Sequence, residues 1–225
     1  MPSIPPSNLR FPRSIVAAID ARGQSDHALH AAVWLHERFD ARLELVHAFP
    51  TRPVLWGRSD DMPEWTAGTE AAGAALRAAV RESLKNAPPE LALKTQADAL
   101  RLDIVSGHAV QVILERARAA EADLVVLGAH QRRGVFDFGS TSRGVLAKAQ
   151  CGVWVQVEAP RPIRRILAPI DLSPDSLHAL AGARDFARDL PADLTVMHCF
   201  VPQVFGAGPS DVPLSSSVAA LEDMR

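Results

Sequence analysis

The segment Arg13-Ser14-Ile15-Val16-Ala17-Ala18-Ile19-Asp20 returns 151 residues later as Arg164-Arg165-Ile166-Leu167-Ala168-Pro169-Ile170-Asp171. The register then holds without a gap through Ser25/Ser176, His27/His178, Leu29/Leu180, Leu43/Leu194, His47/His198 and Phe49/Phe200. Fourteen of the 38 pairs between 13–50 and 164–201 are identical. A solenoid repeats every ~20–50 residues, so this period is far too long for one. It is the length of a domain. The pattern predicts an N-terminal tail over 1–12, one complete unit over 13–158, a linker over 159–163 and a second, truncated unit over 164–225.

Bulk composition narrows the function classes. A hydrophobic content of 48% supports a buried core. Twenty-four basic against 26 acidic residues leave a net charge of −2, which gives no electrostatic case for a nucleic-acid or membrane partner. No apolar stretch approaches the ~20 residues of a membrane span, and the N-terminal residues contain no apolar signal region. Cys151 and Cys199 adjoin apolar runs and read as small buried hydrophobes rather than a disulfide. A cytoplasmic protein is the expectation.

Along the chain, short β-rich runs alternate with helical patterns. Strands are expected at 14–20, 43–49, 100–106, 123–127 and 153–157. Helices are expected at 25–39 with Ser25 as cap, at 66–85, around 110–117 and at 140–149, with a loop over 50–65. The second unit offers a strand at 165–171, a helix at 174–189, a strand at 193–200 and a helix beginning near Ser217. Alternation of this kind implies an open, mostly parallel five-stranded sheet with helices on both faces, a Rossmann-like α/β fold, plus a partial second copy. A three-element second unit buries little surface by itself. It must lean on the first unit, pair with another chain, or remain partly disordered.

In open parallel sheets, sites lie beyond the carboxyl ends of the strands, where strand order reverses. Asp20, His47 and Gly128 fall at such ends. The run from Leu127 through Gly128, Gln131, Arg132, Arg133, Gly134 and Gly139 to Ser140 and Thr141 is a strand, a glycine-bearing loop and a Gly-Ser-Thr step into a helix. Backbone N–H groups and hydroxyls at such a step suit an anion, and glycine permits close approach. Asp20 would accept from a ribose hydroxyl. The plainer reading is that Gly128 and Gly139 shape a tight loop and Ser140 caps a helix.

Four segments together resemble one family: Ile15–Asp20, Leu45-Val46-His47-Ala48, Ser106–Leu114 and Ala122–His130. Their order and spacing are similar to those of the universal stress proteins, over residues 13–158 as a whole domain and 164–201 as part of a second. The resemblance is to tandem members, with a fold of the adenine nucleotide alpha hydrolase type. It implies a stress-response regulator that binds ATP, with Mg²⁺, or another adenine nucleotide. Carried over by position, Gly128 is the first glycine of the family's phosphate motif and Gly139-Ser140, followed by Thr141, its last step. Asp20 matches the ribose-side aspartate, while Ala18, Ile19 and Ala48 fall where the base is lined, and Leu127 precedes the motif. Two departures stand out. Gln131 replaces the motif's second glycine, and seven residues rather than nine separate it from Gly139.

Those departures keep a second function open, a dimeric scaffold or interaction module without nucleotide. A slow ATPase is a third, but no base or metal ligand can be named for it, and no nucleophile–base pair or P-loop lysine is present. The resemblance also implies a homodimer through the Val153–Val157 strand, and a protein partner fits the same class. His27 and His30 share a helix face at i, i+3 without further ligands at metal spacing. His47 and His198, at matching strand ends, are expected to make structural hydrogen bonds.

Overall fold

The computed structural model describes residues 12–20, 23, 25–49, 62–129 and 139–199, with side chains left out over 62–70. Its first unit contains β1 (Ser14–Ala18), α1 (Asp26–Phe39), β2 (Arg42–Phe49), α2 (Met62–Lys85), β3 (Arg101–Ser106), α3 (Ala109–Ala119), β4 (Leu124–Gly128), α4 (Ser140–Leu146) and β5 (Gly152–Gln156). The second contains β6 (Arg165–Ile170), α5 (Pro174–Asp189) and β7 (Asp193–His198). All five first-unit strands run parallel in the order β3-β2-β1-β4-β5. This is the expected α/β sheet.

The central strands are apolar on both faces, as a sheet covered on both sides requires. Ile15 and Ala17 of β1 and Leu124 and Val126 of β4 point into one core cluster, beneath α1 and α2. Val16, Val125 and Leu127 point into the other, beneath α3 and α4. Alternation with period two thus splits one strand between two cores. α3 and α4 approach closely because residue 144 is glycine. A Cβ there would lie 2.7 Å from Cγ2 of Val110.

Several boundaries differ from the sequence expectation for identifiable reasons. α2 begins at Met62, four residues early, because Pro63 falls in its first turn, where a missing N–H costs nothing. Residues 50–61 of the expected loop lie outside the described residues. α4 ends at Leu146 rather than Ala149. Ser25 stands at the entry to α1 but makes no side-chain cap bond; its hydroxyl is used elsewhere. Cys199, expected inside, is exposed just past the paired part of β7, while Cys151 is half-buried, and both are free.

The repeat survives in three dimensions. β1 pairs with β2 in the register Ser14↔Arg42, and β6 with β7 in the register Arg165↔Asp193, the same step carried 151 residues on. The second unit rests on the first through an aromatic group. Phe186 of α5 lies 5.2 Å from the ring of Phe39 and 6.2 Å from that of Trp154. The Arg38 guanidinium also donates to the Asp189 carbonyl. Of the three arrangements open to the second unit, its described part leans on the first. Its stretch 200–225, including the helix expected near Ser217, lies outside the described residues.

Charged side chains brace the sheet edge. Arg116 of α3 donates from Nε to Glu44 Oε2 at 2.8 Å and pairs with Asp103 Oδ2 at 2.7 Å. All three are largely buried, with 19–25% of each side chain exposed. Removing the guanidinium leaves the two carboxylates sharing the more exposed Arg101, 3.6 Å from Glu44 and 3.5 Å from Asp103, as their remaining counter-charge. Arg116→Ala is therefore expected to cost about 2 kcal/mol in chemical denaturation. Arg81→Ala, which breaks a solvent-exposed pair with Asp98, should cost below ~0.5 kcal/mol.

Candidate functional site

Strand order reverses between β1 and β4, so the crevice at their carboxyl ends is where a ligand site is expected. The chain builds that edge with a set of directed hydrogen bonds. Past the end of β1, the Ile19 N–H still donates to the Val46 carbonyl at 3.0 Å. The Ile19 carbonyl accepts from Nδ1 of His47 at 2.9 Å, which places the proton of that ring on Nδ1. The Asp20 N–H donates to Ser25 Oγ at 2.7 Å. The strand end is held from both sides, and the Asp20 side chain is launched from a fixed backbone.

Across the crevice, β4 ends at Gly128, whose carbonyl accepts from Ser142 Oγ at 3.1 Å. That bond ties the first turn of α4 to the strand end. Gly139 occupies the N-cap position of α4, with no side-chain cap bond, and Ser140 is the helix's first residue. Ser140 is thus not the cap of the plainer reading. α3 supplies the floor, its first turn brought in after Gly107, whose N–H donates to the Phe49 carbonyl at 3.0 Å. A Cβ on Gly107 would lie 2.9 Å from Cγ2 of Val112.

These elements enclose a cavity of about 150 Å³. Ala18, Ile19 and Asp20 line one side, Ala48 another, and Leu127, Gly128 and Thr141 a third. Seven of the ten residues singled out in the sequence therefore face one space. Gly139 and Ser140 precede Thr141 without lining it, and Gln131 lies outside the described residues, as do Arg132, Arg133 and Gly134. Ser25, Val46, His47, Ala109, Ile113 and Ser142 also line the cavity and were not among those ten. Ser25 and His47 had a signal, since both recur in the repeat. Ile113 falls within the Ser106–Leu114 run, while Ser142 had no signal, its place being set by the bond to the Gly128 carbonyl.

The described lining is mostly apolar, with Asp20 and His47 its titratable side chains. Among the described residues no group of three or more His, Cys, Asp or Glu side chains is placed to hold a metal ion. His27 and His30 part company on α1, His27 half-buried and His30 fully inside.

The second unit repeats the backbone of this edge without the crevice. His198 Nδ1 donates to the Ile170 carbonyl at 2.8 Å, as His47 does to Ile19. The histidines at matching strand ends thus make the expected structural bonds. The Asp171 N–H reaches Ser176 Oγ at 3.3 Å. The Asp171 carboxylate, however, accepts from the Ser173 N–H at 2.9 Å. Hydrogen bonds from Ser173, with Ser176 beside it, hold this exposed carboxyl down to about 2. Asp171 is engaged by its own turn and faces no β4 counterpart among the described strands.

Comparison with known proteins decides the family. The universal stress protein family model matches twice, over residues 12–156 and 162–223. The chain belongs to the universal stress protein family. It is 25% identical over 142 residues to universal stress protein A homolog 1 of Coxiella burnetii, covering 63% of this chain and 93% of that one. The universal stress protein UspA of Lactobacillus plantarum is 25% identical, with a TM-score of 0.51, over 66% of this chain and 99% of its own. A universal stress protein of Archaeoglobus fulgidus has the same fold over 95% of this chain and 73% of its own, with a TM-score of 0.64 at 15% identity. The double match agrees with the internal repeat and with a tandem arrangement. No helix among the described residues is long and apolar enough to cross a membrane.

Ser25 joins the Asp20 backbone to the start of α1, so its hydroxyl sets the cavity's shape. Ser25→Ala is expected to cost about 1 kcal/mol, read as a lowered thermal midpoint. Ser25→Thr, which retains an acceptor, should recover most of it.

Proposed function

We propose that the first unit of this stress-response family member binds an adenine nucleotide in the crevice between β1 and β4. The observation that carries the reading is the cavity itself, at the switch point of the sheet, with Asp20 and Gly128 on opposite walls. Small side chains at Ala18 and Ala48 leave a slot for a flat base between strand ends, and Ile19 and Leu127 supply apolar contact. Asp20 accepts from a ribose hydroxyl. The N–H groups following Gly139, with the hydroxyls of Ser140 and Thr141, lie on the side where phosphates would sit. α4 is only seven residues long, so these donors act as individual hydrogen bonds rather than through a helix dipole. Mg²⁺ would arrive with the phosphates of ATP, since the described residues offer no metal cluster. No residue is assigned a role in turnover, and binding without rapid hydrolysis is the proposed activity.

Freshly purified protein, denatured, should release an adenine nucleotide, and calorimetry with ATP and Mg²⁺ should report one site per chain. Asp20→Ala and Gly139→Val should each weaken binding by about tenfold or more. Asp171→Ala should leave the affinity unchanged, because that carboxylate is held by its own turn. Absence of both release and heat up to millimolar ATP overturns the reading.

A second reading has its own support, an interaction module that forms a homodimer without nucleotide. Gln131 and the seven-residue spacing to Gly139 depart from the family's phosphate motif, and the described cavity falls below the ~300 Å³ of common ligand pockets. β5 is an edge strand, its residues 153–156 half-buried and Val157 44% exposed. Pairing of this edge with a second chain, extending over Val153–Val157, would cover it. A sedimentation mass near twice the 24.2 kDa chain at micromolar concentration is expected. A single-chain mass there removes the homodimer.

A further inference from the structure

Among the described residues, one buried side-chain nitrogen or oxygen lacks a hydrogen-bond partner, Nδ1 of His30. His30 lies on α1 and is 4% exposed. Its Nε2 sits 2.8 Å from the Ser83 carbonyl of α2 and 3.1 Å from the Ser83 hydroxyl. A carbonyl only accepts, so Nε2 carries the ring proton and Nδ1 presents a bare lone pair to a closed interior. A lone pair without a donor is tolerable there. A second N–H, with a positive charge, is much less so.

The surroundings bear this out from each side. Beneath α1, Ile15, Ala17 and Val126 of the sheet are apolar, as are Leu76 and Val80 of α2. Ser83 is itself 7% exposed. Its charged neighbours on α2, Glu82 and Lys85, are exposed and pair with each other at 3.5 Å. One turn back on α1, Asp26 favours the cation and His27 opposes it. Burial outweighs the Ser83 carbonyl and Asp26, and holds the ring below its ordinary value. At the matching place in the second unit stands Ala181, so the arrangement belongs to the first unit alone.

We propose that His30 is an acid-released latch between α1 and α2. Neutral, it ties the helices together through Ser83. Protonated, it buries a charge and an N–H without an acceptor, and α2 separates from α1, uncovering Leu76, Val80 and the apolar face beneath them. The sign follows from linkage. In the open state the ring titrates near its free value of ~6.5, whereas packed it binds a proton less readily. The open state therefore holds more protons in weak acid. The tie is fully present above about pH 6.5 and weakens as pH falls through the lowered value of the packed ring.

Hydrogen exchange of the α2 amides in the full chain, corrected for intrinsic rates, tests this between about pH 7.5 and pH 5. Protection is expected to fall severalfold over that range as the ring takes up its second proton. His30→Gln offers Ser83 a donor but has no proton to gain, and its protection should stay flat. An equal loss in His30→Gln, or no loss in the parent chain, overturns the latch. A direct reading comes from nuclear magnetic resonance of the His30 ring in the unaltered protein. A midpoint at or above ~6.5, with α2 protection unmoved across it, also overturns the proposal.

Discussion

The first unit's sheet is built outward from β1, its middle strand, and β1 is clamped at both ends. At its start, the N–H groups of Arg13 and Ser14 donate to Asp123 Oδ2 at 2.8 and 3.1 Å, and Ser14 Oγ donates to the Ala120 carbonyl at 2.9 Å. At its finish, His47 and Ser25 hold the Ile19 carbonyl and the Asp20 N–H. Between the clamps its residues divide between two cores. A one-residue slip would reverse every side chain and break both clamps. The crevice is a product of this fixed register, since Asp20 and Gly128 oppose one another only while β1 and β4 stay aligned.

The first clamp explains a residue the sequence marked without a reason. Asp123 was visible only as the polar start of an apolar strand. In the structure it is the acceptor that joins the turn after α3 to the beginning of β1, over 109 residues of sequence. Glu37 does the same on the other face. Its carboxylate accepts from the N–H groups of Lys94 and Thr95 at 2.7 and 2.6 Å, fastening the connection before β3 to α1. Burial would raise its titration, but the bonds from Thr95 and Lys94 outweigh burial and hold it low. Each carboxylate satisfies two adjacent backbone donors, one of them part-buried.

Strand and helix existence was legible because each depends on a local period. Apolar runs of five or six residues rich in Val, Ile and Leu read as strands at that length, and Ala28, Leu29, Ala32, Leu35 and Phe39 recur at helical spacing. Asp20 and Gly128 were legible because strand ends follow from strands and the sheet rule says which ends meet, and Thr141 because it follows the glycine step into a helix. What was not legible is pairing between distant side chains. Nothing near Arg116 announces Glu44 and Asp103, and nothing near Phe186 announces Trp154. Ser25 shows the limit at short range. Its position before a helix suggests a cap, yet the nearer unsatisfied donor is the Asp20 N–H, and the hydroxyl serves that instead.

The second unit separates what local sequence can specify from what it cannot. Identical residues at matching positions reproduce the strand register, the histidine bond to the end of the first strand and the serine bond to the aspartate N–H. They do not reproduce a crevice, because a crevice is a relation between β1 and β4, and the described second unit is a two-stranded sheet. Leu167 and Met197 are 58% and 47% exposed, while their counterparts Val16 and Val46 are sealed under α3 at 0% and 1%. The helix face departs as well. Where the first unit has Leu35, wholly buried against its own sheet, the second has Phe186, turned to the aromatic pair of its neighbour. A leucine would reach fewer atoms across that gap than a ring set at a tilt against two others. The substitution fits a unit that leans on its neighbour, and the repeated aspartate there is held by its own turn.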